Sequence, residues 1–240
     1  MSNTDLPGFA ELDRDGAIEE AASKVDGHTR QAFLRRTGAF MGAGAAFAAL
    51  PAGAFAQGGA SKGDVAILNF ALTLEYLESA FYAEALSKGA LKGETKKFAD
   101  VVAAHEKTHV QTLKSVLGSS AVKEPQFNFK GTTASQSTFQ QTSITLEDTG
   151  VKAYLGQAGN IKAKAVLKSA ASILAIEARH ASWIRNIVGN GSSPSPAPES
   201  FQSSLTMSAV LAAVQGTGFI TSMASASAGG ATSGNPSVTG

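Results

Sequence analysis

Cysteine is absent from the 240 residues, which excludes disulfides, thiolate metal sites and a cysteine nucleophile. An excess of charge of one sign is also missing. Twenty Lys and Arg face 19 Asp and Glu, a net charge of +1, and no basic stripe interleaved with aromatics occurs, so no nucleic-acid partner is expected. A long, strongly apolar run is missing too. The nearest approach, residues 35–57, is dominated by Gly and Ala and broken by Pro51, whereas a membrane span wants about 18–20 strongly apolar residues. Histidine is scarce. Without thiolates, the strong metal-ligand candidates are the carboxylates and the four histidines, His28, His105, His109 and His180.

What is present divides into a leader, a helical domain and a tail. Residues 1–34 are polar and acidic, and "RRTGAFMGAGAAFAALPAGAFAQ" follows. Arg35 and Arg36, the weakly apolar run and Ala54-Phe55-Ala56 have the layout of a secretory signal with cleavage after Ala56. It resembles the twin-arginine type, with Gly38 where that pattern has phenylalanine and Phe40 two places late. Residues 1–56 are therefore expected to be a signal segment, the protein exported to a periplasmic or extracellular location, and no stable membrane span to remain after cleavage.

From Asp64 onward the apolar period is helical. One helix is expected from an Asp64 cap to Gly89, a second from about Thr95 to Gly118, a third from near Thr145, and a long fourth from after Asn160 to Gly189. Residues 119–143 lack a helical period and carry Pro125, so they are expected to form a crossover pinned by Phe127, Phe129 and Phe139. The expected fold is all-α: a four-helix bundle of two antiparallel hairpins joined by one long crossover, with a short fifth helix at Leu205–Val214. The domain is bounded at 62–221, and 222–240 is a Ser/Gly/Ala-rich tail expected to be disordered.

The chemistry begins with "AAHEKTHVQTL" at 103–113. Read from His105 it is HExxH, the zinc-protease helix in which Glu106 would be general base. Read from Glu106 it is ExxH, in which Glu106 and His109 are both ligands and His105 a neighbour. A second ExxH stands at Glu177–His180. Glutamate fills 12 of 240 positions, so a given histidine has about a one-in-twenty chance of Glu three places earlier, yet two of the three histidines after the leader have it. The predicted core seams run through Leu68, Leu72, Glu75, Ser79 and Tyr82, then Val102, Glu106, His109, Leu113 and Val116. The third helix gives Glu147, Val151, Tyr154 and Ala158, and the fourth Val166, Ala170, Ile173, Glu177, His180, Ile184 and Ile187. Four glutamates on apolar seams would cost several kcal/mol each if unpaired, against a domain stability of about 5–15 kcal/mol. Either something positive sits there or the acids stay protonated, and two divalent cations would balance all four. "LEYLESAFY" (74–82) and "LEDTGVKAY" (146–154) echo one another, each with Tyr seven residues after Glu and ExxH about thirty residues on.

The order Glu … ExxH … Glu … ExxH resembles the ferritin-like superfamily of carboxylate-bridged dimetal bundles, and "LNFALTLEYLESAFY" is similar to its exported, desiccation-related group. The resemblance spans about residues 62–221. It implies Glu75, Glu106, His109, Glu147, Glu177 and His180 as ligands of two iron or manganese ions, with Glu106 and Glu177 bridging. Glu78 is an alternate to Glu75, and Tyr82, Tyr154 and His105 are candidates for the surrounding shell. It also implies ferroxidase, peroxidase or catalase-like reaction with O₂ or peroxide, while the long leader and the Pro-rich C-terminal extension, which any assembly would have to accommodate, point to a monomer or small oligomer rather than a cage. Two other readings stand beside it: a desiccation- or stress-associated binding protein whose metal is structural, and a zinc metalloprotease. The protease would need a third ligand, but Ser115 occupies the position six after His109 and the nearest acid, Glu124, sits beside Pro125.

Overall fold

The structure is a computed structural model and describes residues 60–222. The expected signal segment, its cleavage after Ala56, and tail residues 223–240 lie outside the described residues. Five helices carry the fold: α1 (Lys62–Lys88), α2 (Gly93–Leu117), α3 (Gln136–Ala158), α4 (Lys164–Gly189) and α5 (Met207–Thr217). They form the expected four-helix bundle with a short fifth helix. α1 packs chiefly on α2 and α3 on α4, and the two hairpins meet through α2 with α4 and α1 with α3. Among the described residues no helix is long and apolar enough to cross a membrane.

The start of α1 differs from expectation. Ser61 is the N-cap and Asp64 its partner, the two side chains bonding reciprocally to each other's backbone N–H at 3.0 and 3.1 Å. Asp64 also accepts from Lys162 N at 2.7 Å and Ala163 N at 3.2 Å, so one carboxylate ties the start of α1 to the start of α4, which has no side-chain cap of its own. α1 ends at Gly89, where φ of 68° places the chain in the left-handed region that stops a helix.

α3 is longer than the sequence suggests. It begins at Gln136, capped by Ser135, whose hydroxyl accepts from Thr138 N at 3.2 Å. Residues 136–143 therefore belong to the helix, not the crossover. Their period is hidden because Phe139 is their one apolar residue on the buried face, the next being Ser143, also fully buried. Phe139 consequently does not pin the crossover but stacks on Phe81 at 5.3 Å from within α3. The crossover proper is held by Asn69, which donates to Ser120 O at 2.9 Å and accepts from Val122 N at 2.8 Å, and by buried Phe129 edge-on to Phe81. α5 runs Met207–Thr217 rather than 205–214, after which β2 (Ile220–Ser222) pairs antiparallel with β1 (Gln126–Phe127) of the crossover. Ser222 is thus part of a strand pair rather than of the tail.

Two apolar clusters fill the bundle. One gathers Phe81, Tyr82, Phe98, Phe139 and Ile184; the other Leu68, Leu72, Leu113, Val166 and Ile173. Along every long helix the glutamates and histidines of the predicted seams fall between the two. A polar layer enclosed by apolar layers is shielded from water, which strengthens every electrostatic interaction in it.

Candidate metal centre

Each bundle helix contributes from its middle, where the helix is held on both sides by packed neighbours. Glu75 comes from α1, Glu106 and His109 from α2, Glu147 from α3, Glu177 and His180 from α4. All six are buried, the four glutamates completely. They form two overlapping sets: Glu75, Glu106, His109 and Glu177, and Glu106, Glu147, Glu177 and His180, with the candidate ligand atoms of each within 4.8 Å of one another. Glu106 and Glu177 belong to both.

The atoms show how. His109 Nδ1 lies 3.2 Å from Glu75 Oε2, Glu106 Oε2 and Glu177 Oε1. His180 Nδ1 lies 3.2 Å from Glu106 Oε1, 3.3 Å from Glu147 Oε2 and 3.8 Å from Glu177 Oε2. Each shared carboxylate therefore turns one oxygen to each histidine. Despite these separations, Glu106 Oε1, Glu147 Oε2, both Glu177 oxygens and His180 Nδ1 make no hydrogen bond and touch no solvent. Buried polar atoms are otherwise almost always paired. Atoms aimed at a common centre instead of at each other fit a bound cation.

The two tyrosines cross between hairpins. Tyr154 of α3 donates to Glu75 Oε1 of α1 at 2.5 Å, and Tyr82 of α1 donates to Glu147 Oε1 of α3. The seven-residue Glu-to-Tyr echo thus does not pair each tyrosine with its own glutamate. It pairs each with the other repeat's. Burial, then the charge of the glutamate it faces, raises each phenol well above its ordinary pKa, so both remain donors that orient one carboxylate oxygen and leave the other for the cluster.

Charge in the layer is crowded. Burial and then neighbouring Glu177 push Glu106 and Glu78 well above the carboxylate range, and burial raises Glu147 to about 7. For His180 burial pulls downward, but Glu106, Glu147 and Glu177 outweigh it and raise the ring to about 12. His109 is raised likewise, burial being outweighed by Glu75 and the acceptor oxygens around it. Burial opposes ionisation of Glu177, yet the two histidines hold it down at about 2. The pattern is that of a carboxylate cluster demanding positive charge.

The remaining candidates sit around this core. Glu78 is buried but belongs to neither four-residue set; it stands beside the cluster in addition to Glu75. His105 is half-buried, outside both sets, with its Nδ1 2.8 Å from His180 Nε2. Gly150 also lies against the cluster and was not among the residues expected from the sequence. A Cβ there would lie 3.4 Å from Glu78 Oε1 and 3.5 Å from Glu177 Oε2, so a side chain larger than methyl would press on the carboxylates. The signal was present, since Gly150 follows Glu147 by the same three residues as Glu78 follows Glu75.

Residues 63–190, more than half of the sequence, match the family described as the ferritin-like domain. The chain belongs to that family. No curated protein matches it. The matched region of this ferritin-like domain runs from the first turn of α1 to the cap of α4 and holds every residue of the buried cluster, while α5 and β2 follow it in the chain, β2 pairing with β1 inside it.

Proposed function

We propose that this ferritin-like protein binds a dinuclear iron or manganese centre and uses it in reaction with O₂ or peroxide. The observation that carries the reading is the pair of overlapping ligand sets sharing Glu106 and Glu177, each with one oxygen toward either histidine. Glu75 and His109 would complete one position, Glu147 and His180 the other. When bound, the two ions supply one-electron steps in either direction to a small oxidant. The chain's own residues hold the carboxylates in place through Tyr82 and Tyr154, keep water out through the two apolar clusters, and leave the imidazole Nδ1 atoms directed inward.

The position of His105 supports the ExxH reading over HExxH. A protease would need His105 and His109 on one ion, but His105 directs Nδ1 at the far nitrogen of His180. The double-arginine leader supports export, and with it a protective role in stress or desiccation outside the cytoplasm. N-terminal sequencing of secreted protein tests the first, with Gln57 expected as the first residue. Metal analysis of the purified protein tests the centre: about two Fe or Mn per chain are expected, falling in His180→Ala. One Zn per chain, unaffected by His180→Ala and lost with His105→Ala, would overturn it.

A further inference from the structure

The two halves of the site repeat one another: Glu75, Glu106, His109 and Tyr82 correspond to Glu147, Glu177, His180 and Tyr154. The correspondence fails at two positions close to the cluster. Three residues after the first glutamate, Glu78 corresponds to Gly150. One residue before the ExxH glutamate, His105 corresponds to Ile176. Both failures bear on the same half.

His105 Nδ1 lies 2.8 Å from His180 Nε2, with the rings only 20° from parallel and their centroids 5.1 Å apart. That separation is what two imidazoles give when the N···N line runs through both ring centres, so the hydrogen bond is head-on and in plane. A ring that presents Nδ1 to a cation carries its proton on Nε2, and His105 is placed to accept it. Partners of this kind fix a ligand's tautomer and orientation, and removing them typically weakens metal binding about 10–100-fold. For His109 the matching position holds Ile176, which has no acceptor, and among the described residues Nε2 of His109 meets no hydrogen-bond partner. Glu78 adds the second difference. The residue is 3% exposed, and its carboxylate has no hydrogen-bond partner among the described residues and shares the space over Gly150 with Glu177 Oε2, the oxygen that faces His180.

We propose that the two positions are unequal: the one formed by Glu106, Glu147, Glu177 and His180 binds its ion first and more tightly, with His105 as its positioning residue and Glu78 as an added carboxylate. This rests on the two-metal reading above. The test is anaerobic titration of the whole chain with Mn²⁺, following free Mn²⁺ by its electron paramagnetic resonance signal. The wild type is expected to take up two ions in two steps, the first at least about tenfold tighter. His105→Ala should weaken the first step by about 10–100-fold and leave the second unchanged. His105→Asn, which keeps an acceptor, should restore much of the loss, a recovery that a merely space-filling role would not produce. Ile176→His should tighten the second step, and Glu78→Gln should weaken the first alone. Two equal steps in the wild type, or equal weakening of both steps by His105→Ala in a protein whose circular dichroism is unchanged, would overturn the inference while leaving the dinuclear site standing. Saturation below two ions in the wild type would sink the two-metal reading and this inference with it.

Discussion

Replacing Glu147 by Gln removes one charge from the polar layer with almost no change of shape, and the structure sets the sign of the result. Burial raises Glu147 from an ordinary 4.5 to about 7, even after the lowering effects of His180 and Tyr82. A carboxyl raised in the folded state is penalised when ionised: the cost is absent below the unfolded value near 4.5, grows between 4.5 and 7, and is complete above 7. With each pKa unit equal to about 1.4 kcal/mol, the full cost is about 3 kcal/mol. Glutamine carries no charge, and its carbonyl can still accept from Tyr82, but its amide then faces protonated His180 Nδ1 where an acceptor stood, so the ionisation cost is an upper bound on the gain. Metal-free Glu147→Gln should therefore be more stable than the wild type by up to about 3 kcal/mol at pH 8, at most about 6–12 °C in Tm for a domain of this size, with the gain fading by pH 5. Metal-loaded, the order should reverse, because the variant has lost a proposed ligand. The assay is thermal unfolding by circular dichroism with chelator or with saturating Mn²⁺, at both pH values. A metal-free variant less stable than the wild type at pH 8 would refute the reasoning, for it would mean that Glu147 holds the bundle together rather than straining it.

Tyr154→Phe deletes the hydroxyl that orients Glu75 and is expected to cost about 1–2 kcal/mol with a measurable fall in metal affinity, both read from the same melts and a Mn²⁺ titration. Metal affinity should rise with pH between 6 and 8. His180, held at about 12, and the raised His109 and Glu106 carry protons there that a cation must displace; calorimetry in buffers of different ionisation enthalpy should show proton release, and no release would contradict the charge balance. Gly156→Ala should destabilise by about 1–3 kcal/mol, since a Cβ there would sit 1.9 Å from Leu205 O, where Leu205 N donates to Lys152 O at 3.1 Å. Its effect should appear in Tm and not in metal content.

The parts of this molecule that were legible in the sequence are those where a short spacing forces one geometry. Glu106 with His109, and Glu177 with His180, are three apart on a helix and must share a face, so the candidate site followed once the helices did. The choice between Glu75 and Glu78 was not legible, because α1 is covered on nearly all sides: 15 of its 27 residues are buried, against 8 of 25 in α2. A helix buried all round has no seam to follow, and both glutamates turn out to lie inside. The start of α3 was hidden for the opposite reason, a helical turn rich in Gln, Ser and Thr whose buried face is Phe139 and Ser143. The crossing of Tyr82 and Tyr154 to the opposite repeat's glutamate was out of reach, since spacing gives phase along one helix and nothing about which neighbour a side chain meets.

In the proposed centre Glu106 and Glu177 are shared between two ions. Crystals grown with Mn²⁺ and measured at the manganese absorption edge should show two anomalous peaks about 3.5–4 Å apart between these carboxylates, one beside His109 and the other beside His180. A single peak coordinated by His105 and His109, or none within the buried cluster, would contradict it.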